Sequence, residues 1–334
     1  MSLRRISTFF IAVTLACSAL FSHAQSFGTS ELIAKAEAGD AQAQQALGVM
    51  YQTGQGVPPD LVEAAKWYHL AADQGNAMAQ MNLGMMYNFG MGVPQDYVEA
   101  EKWVRPAAEQ GITVAQLNLA LLYSNGYGVQ QNFEEAAKWY GLAADEGDLT
   151  AQMSMAEIFY VGKGVPQDLA EAAKYYRMAA EQGEGVAQFN LAVMHHDGQG
   201  VPQDFEQAAE WYGLAADQGH LTAMYRLGVM YEDGQGVAQD YSAAAGWYRR
   251  SAMDGYFSAQ NNLGILYGNG LGVEQDLLKA GMWLNIAEKI SFGEERDQIV
   301  MNRDSVIANL NEEQLAQAQA MADKCLESRY RDCE

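Results

Sequence analysis

Gly75 to Gly111 reads GNAMAQMNLGMMYNFGMGVPQDYVEAEKWVRPAAEQG, and its two halves carry the signals of two helices joined by a tight turn. Ala77 to Phe89 has helical apolar spacing, and Gly90-Met91-Gly92 supplies residues that take the left-handed backbone closing a helix. Val93-Pro94 then forces an extended step, because a residue before proline avoids the helical region. Asp96 is placed to cap a second helix, and Glu99, three positions on, to complete a capping box. That helix carries Ala100, Trp103, Ala107 and Ala108 and stops at Gly111. Its small residues allow neighbouring helices to approach closely.

The same stretch recurs. Trp67, Trp103, Trp139, Tyr175, Trp211, Trp247 and Trp283 stand 36 residues apart without insertion or deletion, as do the glycines from Gly39 to Gly255 and the G-x-G pairs from Gly54-Gln55-Gly56 to Gly270-Leu271-Gly272. Such periodicity marks a stack of identical supersecondary units. The capping signature returns as Asp60/Glu63, Asn132/Glu135, Asp168/Glu171 and Asp204/Gln207, and decays where Ala243 and Lys279 take the fourth place. Fixed recurrence places the tryptophans in the core. A G-x-G with no preceding strand is not a nucleotide fingerprint.

The run Ala79-Gln80-Met81-Asn82-Leu83-Gly84-Met85-Met86-Tyr87, then Gly-x-Gly-Val-Pro-Gln-Asp-Tyr, Glu-Ala, Lys-Trp and Ala-Ala-Glu-Gln-Gly, resembles the Sel-1-like repeat, a relative of the tetratricopeptide repeat. The resemblance covers seven units over residues 40–291. It implies an all-α fold, a right-handed α/α superhelical solenoid of helix-turn-helix repeats used as a protein-interaction scaffold, often in exported or membrane-associated assemblies. Residues 25–39 read as an N-terminal capping half-repeat and residues 292–334 as C-terminal capping helices and tail, with Asn311 opening the last helix.

The chain has 334 residues, formal charge −22, 49% hydrophobic residues, 33 Gly, 6 Pro and 3 Cys, which excludes a collagen, a disulfide-dense scaffold and a disordered acidic tail. So acidic a protein repels phosphate backbones, and no nucleic-acid partner is expected. Arg4 and Arg5, the apolar run Ile6 to Phe21 and Ser22-His23-Ala24 read as a signal peptide cleaved after Ala24, giving a periplasmic or secreted protein with no integral membrane segment in its mature form. Export makes a disulfide between Cys325 and Cys333 chemically allowed; two unpaired thiols are the other reading. The oligomeric state is not legible.

At 100° per residue, each first helix has one side with nearly invariant residues, Ala43 to Ala259 and Leu47 to Leu263, and an opposite side that changes from unit to unit. One variable column reads Gln45, Met81, Leu117, Met153, Phe189, Tyr225 and Asn261, and the next holds Asn82, Asn118, Asn190, Arg226 and Asn262. The expectation is a groove with an apolar floor whose amides and Arg226 hold an extended peptide or a partner's helix, the matching column lining the concave face in the similar tetratricopeptide fold. Packing of the apolar column on its own second helices is the competing reading. No catalytic residue, metal or cofactor is expected. Adjacent His195 and His196 diverge by 100° on a helix and make a poor chelate, and no H-E-x-x-H, G-x-S-x-G, C-x-x-C or S-x-x-K occurs. A cell-wall-active hydrolase or β-lactam-binding protein of the cysteine-rich type is the alternative, weakened because every repeat lacks cysteine.

Overall fold

The computed structural model describes residues 28–308 and 310–333; the signal-peptide reading lies outside them. Among the described residues there are seventeen helices. The first, α1, spans Thr29–Glu37. Seven pairs follow: α2 (Ala41–Thr53) with α3 (Leu61–Asp73), α4 (Ala77–Phe89) with α5 (Tyr97–Glu109), α6 (Thr113–Asn125) with α7 (Phe133–Asp145), α8 (Leu149–Val161) with α9 (Leu169–Glu181), α10 (Gly185–Asp197) with α11 (Phe205–Asp217), α12 (Leu221–Asp233) with α13 (Tyr241–Met253), and α14 (Phe257–Asn269) with α15 (Leu277–Ile290). Helices α16 (Gly293–Ile307) and α17 (Glu312–Glu327) close the chain. The architecture is an all-α solenoid of paired helices.

The two turn glycines do different work. The first ends the helix: Gly90, at φ 67°, returns its N–H to Met86 O. The second lets consecutive repeats touch, since a Cβ on Gly92 would lie 2.2 Å from Leu61 O and one on Gly128 2.3 Å from the Tyr97 carbonyl. Those atoms belong to the first turn of the preceding repeat's second helix. Only a glycine fits, by backbone angle and by space.

Each second helix is N-capped as expected, Asp96 Oδ1 accepting from the N–H groups of Val98 and Glu99 at 2.9 and 3.1 Å. The expected reciprocal half of the capping box does not form there. Glu63, Glu99 and Glu171 instead pair with Lys66, Lys102 and Lys174 one turn on. The reason is that the cap residue's own N–H is already bonded to the preceding helix, as in Asp60 N–H to Tyr51 O at 2.8 Å and Asp96 N–H to Tyr87 O at 3.0 Å. Both halves of the box are present at Asn311 and Gln314, where the cap N–H goes to Gln314 Oε1 and not back to the preceding helix. From the second repeat on, a glutamine precedes the cap residue and bonds the end of the first helix, Gln95 Nε2 donating to Asn88 O at 2.8 Å and Gln203 Nε2 to His196 O at 2.8 Å.

The helices group into two compact units, one running through Ile158 and including Gly162–Pro166, the other comprising Phe159–Val161 and the chain from Gln167. Within each, a helix packs on its neighbours in sequence, so a first helix lies between two second helices. The deepest aromatic column is the one after the tryptophans: Tyr68, Tyr212 and Tyr248 are at most 1% exposed. Trp283, Trp103 and Trp139 are buried, whereas Trp67, Trp211 and Trp247 are half-buried. The glycine of the Leu-Gly pairs makes room for the deeper ring, a Cβ on Gly48 or Gly228 standing 2.7 or 2.6 Å from Tyr68 or Tyr248.

Candidate functional site

The two sides of the first helices differ less than their sequences do. The alanine and leucine columns are buried from Ala43 and Leu47 to Ala259 and Leu263. In the first unit, however, the variable side is buried too: Met81, Asn82, Leu117 and Asn118 are all at most 6% exposed. Eight successive residues of α4, Ala79 to Met86, are buried, because the helix is enclosed by α3 and α5. Met81 and Leu117 are therefore core side chains rather than an open floor, and Asn118 turns back on its own helix, donating to Val114 O at 2.7 Å. Met153, the last of this unit's expected floor residues, is half-buried.

In the second unit the same columns are more open. Phe189, Asn190, Tyr225 and Asn262 are half-buried and Arg226 is exposed. Phe189 packs against Tyr212 (ring centroids 5.8 Å apart) and His220 (4.3 Å), and Tyr225 against Tyr248 (5.9 Å) and Tyr256 (5.3 Å). Packing on the second helices thus holds for one edge of each ring. Asn262 Nδ2 donates to Tyr248 Oη at 3.1 Å, and Tyr248 Oη donates to a Glu232 carboxylate oxygen at 2.6 Å. Burial and the nearby Glu232 carboxylate push the Tyr248 phenol far above its ordinary value; burial pushes Tyr212 up to about 12. Both stay protonated donors at neutral pH.

Beyond Tyr225 the column meets another helix of the chain. Asn302 on α16 donates to Asn261 Oδ1 at 2.9 Å, and Val306 sits where a Cβ on Gly268 would fall, 2.8 Å away. The earlier residues of that second column, Gln52, Asn88, Ser124, Tyr160, His196 and Glu232, all carry side chains. Glycine in the last repeat admits the capping helix.

His195 is 6% exposed, with Arg177 at 3.3 Å from Nε2, and burial lowers its pKa. His196 turns away to Asp197 at 2.7 Å. Among the described residues no group of three His, Cys, Asp or Glu side chains is placed to hold a metal ion, and no helix is long and apolar enough to cross a membrane. Cys325 and Cys333 are joined as a disulfide, with Cα atoms 4.7 Å apart.

A buried glutamine column went unread at the sequence level, although its period is the same. Gln44, Gln80, Gln116, Gln188 and Gln260 each donate to a carbonyl at the end of the preceding second helix, such as Gln80 Nε2 to Ala72 O at 3.2 Å. Three also accept from a glutamine thirty residues on, as Gln80 does from Gln110 at 2.9 Å. These amides bind repeat to repeat and are not available to a partner.

The Sel1 repeat profile matches residues 41–76, 77–112, 113–148, 149–184, 185–220, 221–256 and 257–289. Among solved structures, the chain is similar to a protective antigen of uropathogenic Escherichia coli strains that displays an SLR fold, at 32% identity over 88% of this chain and 79% of that one, with a TM-score of 0.43. It is also similar to a Sel1 repeat protein from Oxalobacter formigenes, at 38% identity over 64% of this chain and 85% of that one, with a TM-score of 0.49. No curated protein matches the sequence.

Proposed function

The chain belongs to the Sel1 repeat family, and from that premise we propose that it is a non-enzymatic interaction scaffold whose second unit receives a peptide or partner helix on the variable side of its first helices. The observation that carries this reading is the partial opening of one column in that unit, where Phe189 and Tyr225 remain half-buried beside Asn190, Asn262 and the exposed Arg226. Half-exposed aromatic rings beside an arginine are the composition of binding hot spots. The contact of α16 with Asn261 supports a helix as a suitable occupant. Met81, Asn82, Leu117 and Asn118 support the fold instead.

The domain boundaries follow from the same reading: a leader to Ala24, a capping half-repeat over 25–39, seven repeats over 40–291 and a terminal cap over 292–334. Export to the periplasm or beyond is part of the proposal, resting on the leader's sequence and on the cysteine pair.

The test uses the exposed Arg226 and the half-buried Asn190. Arg226→Glu combined with Asn190→Ala should abolish capture of envelope proteins by the mature chain while leaving its thermal melting curve in place. Capture equal to that of the native chain would sink the assignment.

A further inference from the structure

Five of the seven first helices begin with a side-chain cap, and in four of them the cap is a carboxylate or an amide. Asp40, Asn76, Asp148 and Glu184 accept from the N–H three residues on, whereas Ile112 and Tyr256 accept nothing. At the start of α12 the acceptor is an imidazole: His220 Nδ1 takes the Ala223 N–H at 3.2 Å. A backbone N–H can only donate, so this ring nitrogen must be unprotonated. The same ring lies nearly parallel to Phe189 of α10, at 18° and 4.3 Å between centroids. One side chain therefore both starts the sixth repeat's first helix and seals it against the fifth.

We propose that His220 is an acid-sensitive fastening between the fifth and sixth repeats. On protonation Nδ1 becomes a donor and loses Ala223 N–H, and the imidazolium adds positive charge at the positive end of α12. The elements packed about it carry Glu184 at the start of α10, Tyr212 and Asp217 on α11, Arg226 on α12 and Arg250 on α13. Of these, Glu184 favours the charged ring, but its carboxylate is engaged by Ala187 N–H at 2.6 Å, and Asp217 is paired with Arg250 at 3.4 Å.

Burial outweighs both a hydrogen bond to the residue's own backbone and Glu184, and holds His220 below its ordinary value. The folded pKa thus lies under the unfolded one of about 6.5, so the fastening is complete above that pH and is lost as pH falls through it toward the folded value. The inference stands on the cap and the stack alone and does not require a partner at Phe189.

Hydrogen exchange of the full chain tests it, read in peptides covering the first turn of α12 and corrected for the intrinsic pH dependence of exchange. Between about pH 7.5 and about pH 5.5 the native chain should lose roughly five- to tenfold in protection there, the scale of a lost N-cap. His220→Asn should show no such loss, since asparagine already caps the second repeat at Asn76. His195→Tyr, which removes the buried histidine of α10 and restores the tyrosine found at Tyr51 and Tyr87, should lose protection as the native chain does. An unchanged acid loss in His220→Asn, or its disappearance in His195→Tyr, would overturn the proposal. So would a His220 proton resonance in the native chain that titrates at or above the ordinary histidine value.

Discussion

The glutamines show how closely single residues are matched between repeats. Gln44, Gln80 and Gln188 find a second glutamine at Gln74, Gln110 and Gln218, whose amide satisfies their buried oxygen. At Gln116 the corresponding residue is Glu146, which has no proton to give, and Gln116 Oε1 is buried without a partner among the described residues. Glu146→Gln should therefore stabilise the chain by about 0.5–1.5 kcal/mol, the net worth of one recovered hydrogen bond. Urea unfolding measures it, and a neutral or negative change would mean that Glu146 lies too far away. A glutamine is read as a surface residue by type, and only its 36-residue recurrence marks it as internal. Residue type likewise singles out the tryptophans. The adjacent tyrosines are the deeper column, since neighbouring helical positions point 100° apart and one of the two must face further inward.

At the scale of elements, helix limits were almost wholly legible. Ala77–Phe89 and Tyr97–Glu109 begin and end where Gly90, Pro94, Asp96 and Gly111 require. What the pattern did not separate was the two uses of glycine. Gly111 has φ 84° but open space around it, so alanine there should cost about 1 kcal/mol of backbone strain. Gly128→Ala adds an overlap with the Tyr97 backbone and should cost several times more, read as the drop in thermal midpoint. Equal losses would show that consecutive repeats do not approach so closely. The capping box was half legible for a related reason. Its cap is a local interaction, whereas the fate of its N–H depends on a carbonyl nine residues back, such as Tyr51 O for Asp60.

Across the whole molecule, charge is unevenly compensated. Among the described residues many ion pairs are contacts along single helices, such as Glu63 with Lys66 and Glu101 with Arg105, a few join helices, such as Asp217 with Arg250 and Lys289 with Asp323, and the 42 acidic residues outnumber the 20 basic ones. Exposed pairs of this kind are worth little, and the net charge of −22 repels itself. Raising salt from low to physiological ionic strength should raise the melting temperature; a fall would mean that the pairs outweigh the repulsion. The sequence by itself determined that this chain is a helical repeat, the length of its unit, where each helix starts and stops and which residues form its tightest turns, because backbone angles, caps and period are local. Only the tertiary structure decided which part of the variable side is open. Helical phase fixes the direction in which Met81 and Phe189 point, but not what stands there: neighbouring helices close over the first, and the rings of Tyr212 and His220 leave the second half uncovered.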